Sequence, residues 1–374
     1  MQKIKSSSKI LFLALETYSM VGGIQQFNRR IINGLSQLIL DQKITSVTAI
    51  LKGDDQKKLP NILSNIKIIG CGSSTLDFIF KSIQAFRDSD VVLLGHVNLL
   101  PFALLAKTFN PKIRVLLFVH GIDVWGENAR PLKKTDPFLI KFVDKIASVS
   151  AFTAKKMSQS FNVNLDKFEV FPNAVDPLST DVNSFNIQKK PLLLTVARLS
   201  ENEFGKHHDS VLKALPKILP EFPELKYRVI GDGILKKDLQ KLADSLGVTN
   251  SVEFEGRVSD EELARAYEEA SVFVMPSEKE GFGIVFLEAW LRCVPVICGT
   301  EDASHEVVSN GIDGFAIHHN DINNLAEKII YLIKNPDQAS FMGKLGNKKV
   351  RENYLMSNFT ENLAKLLKKE GSNA

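Results

Sequence analysis

Short apolar runs of four to eight residues recur along the chain, and stretches with helical spacing separate them. In the first half they occupy 9–15 (KILFLAL), 44–51 (ITSVTAIL), 66–70 (IKIIG), 91–96 (VVLLGH), 114–120 (RVLLFVH) and 145–150 (KIASVS). In the second half they occupy 191–198 (PLLLTVAR), 226–233 (KYRVIGDG), 251–258 (SVEFEGRV), 270–277 (ASVFVMPS), 294–299 (VPVICG) and 314–317 (GFAI). The runs are continuous rather than alternating, which marks strands covered on both faces and hence parallel sheets with crossover helices. Between the halves, NAVDPLSTDVNSFNIQKKP is polar, carries two prolines and shows no period, so it reads as a linker. The pattern predicts an α/β protein of two doubly wound domains, 1–178 and 179–350. The helical segment 351–374 is a candidate to pack back on the first. Such sheets bind ligands outside the C-terminal ends of their strands, so the domains are expected to face a central cleft.

The length of 374 residues agrees with two domains, and 44% hydrophobic with 24% charged residues agrees with a soluble globular chain. No stretch reaches the ~18 apolar residues a membrane span requires. The N-terminal lysines and ILFLAL resemble a signal peptide, but Glu16 ends the run early and a first strand is the better reading. Three cysteines, Cys71, Cys293 and Cys298, are too few for a disulfide framework and point to a reducing, cytoplasmic compartment. Charge is uneven. Residues 1–180 hold 23 Lys and Arg against 14 Asp and Glu, and the remainder holds 24 against 29. The basic half suits an anionic membrane surface or a phosphorylated ligand, although solvated helix faces account for it equally. No stacking-aromatic motif or zinc-finger spacing speaks for nucleic acid.

Candidate chemistry gathers just past the strand ends. Gly22 and Gly23 precede a helix and would let backbone N–H groups approach an anion, or simply form a loop. His120 ends the run RVLLFVH; such a histidine serves structure as often as chemistry. Arg198 and Lys206 follow PLLLTVAR, and two cations at the mouth of a parallel sheet suit a diphosphate. The turn GDG at 231–233 is not GxGxxG, which disfavours hydride transfer. Asp88-Ser89-Asp90 looks like a metal-binding DxD but precedes a strand, so it should cap the strand start; no metal site is expected. Glu280 precedes the Gly281-Phe282-Gly283 turn, and Glu288 lies in the otherwise apolar helix that follows. A carboxylate so placed costs roughly several kcal/mol unless something pairs with it. Helix N–H groups for phosphate and two carboxylates for hydroxyls suit a nucleotide sugar.

With these features the chain resembles the family-4 retaining glycosyltransferases of the GT-B fold. The resemblance is carried by Glu280 and Glu288 with seven residues between them, VARL at 196–199, GDG at 231–233, FEGRVSDEEL at 254–263, VFVMPS at 272–277 and FPNAVD at 171–176. It implies a Rossmann-like acceptor-binding first domain and a donor-binding second domain. It implies that Glu288 accepts hydrogen bonds from the donor ribose, so that its partner arrives with the ligand. Glu280 would bind the transferred sugar, and the amides of Phe282, Gly283 and Ile284 would hold sugar and phosphate. Arg198 and Lys206 would neutralise the departing diphosphate, Gly22 and Gly23 would support it, and His120 would touch the sugar at the transfer centre. The implied reaction needs no cofactor or metal: a UDP- or GDP-linked hexose passes to a hydroxyl of a sugar or lipid-linked acceptor with retention. The implied setting is polysaccharide or glycolipid synthesis, in the cytoplasm or at the inner membrane face.

Two features depart from the family pattern. Lys206 lies eight positions after Arg198 rather than five, and His207 rather than glycine follows the lysine. EDASHEVV at 301–308 replaces a glycine-rich turn, which leaves the role of Glu306 open. The alternatives are a nucleotide-sugar epimerase or hydrolase of the same fold, and a non-catalytic nucleotide-sugar-binding protein. The glutamate spacing argues against the first and the intact four charged residues against the second.

Overall fold

The computed structural model describes residues 8–20, 22–60, 64–121, 123–126, 129–178 and 191–368. Most of the linker reading falls outside these. The chain divides into two compact units, Met1–Ala174 with Met356–Ala374, and Val175–Leu355.

In the first unit, β1 (Lys9–Ala14), β2 (Ser46–Leu51), β3 (Lys67–Gly70), β4 (Val91–Leu94), β5 (Arg114–Val119), β6 (Lys145–Ser148) and β7 (Phe168–Val170) form one sheet. The order is β3-β2-β1-β4-β5-β6-β7, and every pairing is parallel. In the second unit, β8 (Leu192–Val196), β9 (Lys226–Ile230), β10 (Val252–Gly256), β11 (Val272–Met275), β12 (Val296–Cys298) and β13 (Gly314–Ala316) are ordered β10-β9-β8-β11-β12-β13, again all parallel. The doubly wound α/β architecture read from the apolar runs is what the chain forms. Strand β7 is the exception that the pattern missed: FEV is three residues long, lies at the sheet edge and leaves Val170 exposed. In each sheet the strand order reverses once, between β1 and β4 and between β8 and β11, and α/β folds bind ligands at such switch points.

The central strands are buried along their whole length, as the unbroken runs VVLL and VFVM require. Helix Gly23–Leu40 buries Phe27, Ile31, Leu35 and Leu38, a single stripe at helical spacing. The segment Met356–Leu367 closes the first unit against this helix. Phe359 meets Phe27 edge to face at 5.5 Å and Phe171 at 4.8 Å, and Phe27 also meets Phe118 at 5.3 Å. Close to the segment, Gly34 is tightly packed: a Cβ there would lie 3.2 Å from Leu363. In the second unit, Trp290 is fully buried and donates its Nε1–H to the carbonyl of Asp313 at 2.9 Å. Among the described residues no helix is long and apolar enough to cross a membrane.

Two stability predictions follow from this packing. Phe27→Ala removes the ring that Phe118, His120, Phe171 and Phe359 all contact and should destabilise the first unit by about 3–5 kcal/mol in urea unfolding; a loss under ~1 kcal/mol would show that the cluster repacks. The second concerns His208, which is buried at the start of helix His208–Ile218, with no hydrogen-bond partner for its Nε2 among the described residues. Burial holds its pKa down to about 4, and the nearby Lys206 ammonium adds to this. The unfolded chain takes up this proton near pH 6.5 and the folded chain only near 4, so stability falls as pH drops through that window. The loss is about 1.4 kcal/mol per pH unit. His208→Gln should flatten the pH dependence of second-unit unfolding relative to wild type, and equal slopes would contradict the assignment.

Candidate active site

The strand-end residues of the second unit are tied together by close backbone approach. The segment after β8 and the GDG turn after β9 interlock, with Ala197 N–H donating to Ile230 O at 3.0 Å and Leu199 N–H to Asp232 O at 3.0 Å. A Cβ at Gly231 would sit 1.8 Å from Ala197 O, and one at Gly233 would sit 2.3 Å from Leu199 O. Both glycines also have positive φ, at 137° and 150°. The turn is therefore glycine-rich for its fit against residues 197–199, which holds the exposed Arg198 at the mouth of the sheet.

Lys206 is buried and forms an ion pair with Glu280; its Nζ also donates to the carbonyl of Lys279 at 3.2 Å. The loops carrying the pair touch directly, since Glu278 N–H donates to Gly205 O at 2.8 Å. Glu280 is held from behind by Asp302, which is fully buried. The Asp302 carboxylate accepts from Glu280 N–H at 2.7 Å, Ser277 Oγ–H at 2.5 Å and Ser304 N–H at 2.9 Å, and also from the Ser304 hydroxyl. Burial pushes the Asp302 pKa up, against the hydrogen bonds from Ser277 and Ser304, and the charge of Glu280 adds to the rise. The sequence reading missed Asp302. Its spacing to Ser304 is a local signal for a side-chain turn, but the bonds to Ser277 and Glu280 span more than twenty residues.

The turn after Glu280 enters helix Ile284–Leu291 through Gly283, whose φ of 87° is left-handed and whose Cβ would strike the Phe286 ring at 2.4 Å. Phe282 is buried against Tyr354, so its side chain belongs to the packing. Ile284 opens the helix, placing the 282–284 segment at its positive end. Glu288 is half-buried and has a partner in the protein itself: Tyr267 donates its hydroxyl to Glu288 Oε2 at 2.8 Å. Tyr267 is brought there by helix Asp260–Glu269, which begins with a capping box in which Ser259 and Glu262 exchange hydrogen bonds. Burial, and then the charge of Glu288, raises the Tyr267 pKa well above normal, so it remains a donor. Nothing in ARAYEEA signalled this contact. Glu306 lies on the exposed face of the short helix Ser304–Val307.

The remaining candidates lie in the first unit. Gly22 caps helix Gly23–Leu40 in extended conformation, and a Cβ on Gly23 would meet nothing within 4 Å. Packing does not demand glycine at 23. The preceding loop is fixed by buried Asp54, which accepts the N–H groups of Thr17, Tyr18 and Ser19 at 2.8, 2.7 and 2.7 Å. His120 follows β5, and its Nε2 is 2.9 Å from the carbonyl of Gly95. A carbonyl only accepts, so Nε2 carries a hydrogen there and Nδ1 is the other ring nitrogen. A cavity of about 350 Å³ opens beside the ends of β1, β2 and β4, lined in part by Glu16, Lys52, Asn98, Leu99 and Phe102. Asp88-Ser89-Asp90 is at the opposite strand ends, where Asp90 accepts the N–H of Lys9 at 2.7 Å.

The family model described as "Glycosyl transferases group 1" matches residues 179–349, and that described as "Glycosyltransferase Family 4" matches 21–177. A GDP-mannose-dependent monoacylated alpha-(1-6)-phosphatidylinositol monomannoside mannosyltransferase from Corynebacterium glutamicum is 27% identical, over 76% of this chain and 77% of its own. A GDP-mannose-dependent alpha-(1-6)-phosphatidylinositol monomannoside mannosyltransferase from Mycobacterium tuberculosis is 28% identical, over 79% and 80%. Among solved structures, Anabaena HepE in complex with UDP and glucose superposes with a TM-score of 0.75 at 18% identity, covering 96% of this chain and 99% of that one, which shows a shared fold. From these matches and the two parallel-sheet units, the chain belongs to the group 1, family-4 glycosyl transferases of the GT-B fold, enzymes that carry a sugar from a nucleotide sugar to an acceptor.

Proposed function

We propose that this enzyme transfers a hexose with retention of anomeric configuration and without a metal, from GDP-mannose or a close analogue to a hydroxyl of a lipid-linked acceptor. The single observation that carries the site assignment is the buried Lys206–Glu280 pair, braced by Asp302 at the switch point of the second sheet. The choice of donor rests on the mannosyltransferase relatives, which are named for GDP-mannose and for phosphatidylinositol monomannoside. An epimerase or hydrolase reading has no comparable support.

In this reading Glu288, held by Tyr267, accepts the ribose hydroxyls with the lone pairs that Tyr267 leaves open. Arg198, Lys206 and the first N–H groups of helix Ile284–Leu291 take up the charge that develops on the diphosphate, the effect that usually contributes most to catalysis. The bond from anomeric carbon to phosphate oxygen breaks and its electron pair stays on that oxygen. The acceptor oxygen bonds to the same face of the carbon, and its proton passes to the departing phosphate oxygen. Glu280 orients the sugar hydroxyls while Lys206 holds it. His120 would meet the sugar through Nδ1, and Gly23, where a Cβ would meet nothing within 4 Å, leaves room for phosphate. The cavity beside β1, β2 and β4 mixes Glu16, Lys52 and Asn98 with apolar walls, which suits an acceptor sugar carrying a hydrophobic tail. The basic first half would favour an anionic membrane surface.

Lys206→Ala should lower kcat by about 10²–10³ while changing the donor KM less than about tenfold; turnover near wild type would remove Lys206 from the reaction. Glu288→Ala should raise the donor Kd by about tenfold or more, the worth of one hydrogen bond to a charged group. Tyr267→Phe should raise it about two- to fivefold and leave kcat unchanged, because the carboxylate stays but loses its support. A Tyr267→Phe loss confined to kcat would contradict a positioning role.

A further inference from the structure

Beside the Lys206–Glu280 pair lies a group of side chains that sugar transfer does not use. The rings of His207 and His319 stack with centroids 3.8 Å apart and planes 7° from parallel. Their Nε2 atoms stand 3.3 and 3.6 Å from the two oxygens of one carboxylate, Glu278. Their Nδ1 atoms face other carboxylates: His207 Nδ1 is 3.6 Å from Asp209 Oδ1, and His319 Nδ1 is 3.2 Å from Glu301 Oε2. A histidine that gives its Nδ1–H to a carboxylate keeps its lone pair on Nε2, the arrangement found behind metal-bound imidazoles. Where both rings take that form, their Nε2 lone pairs turn toward the two oxygens of Glu278. His207 Nε2 is buried and lacks a hydrogen-bond partner of good geometry among the described residues.

We propose that His207, Glu278 and His319 bind a divalent transition-metal ion such as Zn²⁺, through the two Nε2 atoms and a carboxylate oxygen. One ligand atom from each of the three lies within 4.8 Å of the others. The 3.3 and 3.6 Å separations are close to the about 3.3 Å edge of a tetrahedron whose bonds are about 2.0–2.1 Å. Each lone pair lies in its ring plane, so the rings tilt out of their stack to share the ion. Two imidazoles and one carboxylate are a zinc donor set, whereas Mg²⁺ and Ca²⁺ favour oxygen alone. His207 follows Lys206 directly and Glu278 precedes Glu280 by two residues, so the ion would clamp together the two loops that carry the buried pair. A neighbouring group, Glu301, His318 and His319, shares one histidine with this site, but its second histidine, His318, is 44% exposed where His207 is 15% exposed.

The test is to strip the full chain with chelator and titrate it with Co²⁺, whose visible absorption reports tetrahedral nitrogen and oxygen ligation, then to displace it with Zn²⁺. One equivalent should bind. His207→Asn, which tolerates the left-handed φ of 55°, and His319→Gln should each weaken binding by about tenfold or more, while His318→Gln leaves it within about twofold. The proposal is overturned if wild type binds no more tightly than the His207→Asn, His319→Gln double variant, with thermal melts showing the metal-free proteins equally folded. It is equally overturned if His318→Gln abolishes binding and His207→Asn does not, which would place the ion on the outer group. The absorption readout is independent of sugar transfer, so its failure would leave the donor site untouched.

Discussion

Four donors converge on the buried carboxylate of Asp302, and the arrangement of the second unit's working loops depends on them. A carboxylate removed from water costs several kcal/mol unless it is well paired, and two hydroxyls and two backbone amides offset that cost here. The same bonds join the loop after β12 to the loop after β11 and fix the backbone at Glu280. Glu280 in turn pairs with Lys206, and Lys206 grips the carbonyl of Lys279. Charge, hydrogen bonding and burial are thus spent on holding one carboxylate and one ammonium at a sheet switch point.

The first unit solves the same problem in the same way. Asp54, just past β2, accepts three consecutive N–H groups of the loop that follows β1. Asp302, just past β12, accepts the Ser277 hydroxyl and the Glu280 N–H of the loop that follows β11. In each sheet the aspartate follows a strand that neighbours the switch-point strand, and it fixes the loop that leads to a helix carrying candidate ligand contacts. Parallel strands deliver all their C-terminal loops to one edge, so a short acidic side chain from a neighbouring loop reaches those backbone donors without a special fold.

Much of this was legible in the chain because parallel strands leave unbroken apolar runs, which carry their own signature. Strand β7 was not, since three residues at an exposed edge have no run to display. Arg198, Lys206, Glu280 and Glu288 could be named because charge at a strand end or on an apolar helix stands out locally. The residues that hold them could not. Tyr267 reaches Glu288 across 21 positions, and Ser277 reaches Asp302 across 25, so only the fold reveals that they meet. The same is true of His207 and His319, whose stacking no spacing announces. The glycines of GDG were visible, but their reason, the backbone of 197–199 lying against them, was not.

The central claim is that the strand-end loops of the second unit form a donor site that needs no metal. Calorimetric titration of the chelator-treated protein with GDP and with UDP tests it most directly. The account predicts saturable binding of one GDP per chain without added Mg²⁺, tighter than UDP and weakened in the Glu288→Ala variant. No heat of binding from either nucleotide, or binding that Glu288→Ala leaves unchanged, would contradict it.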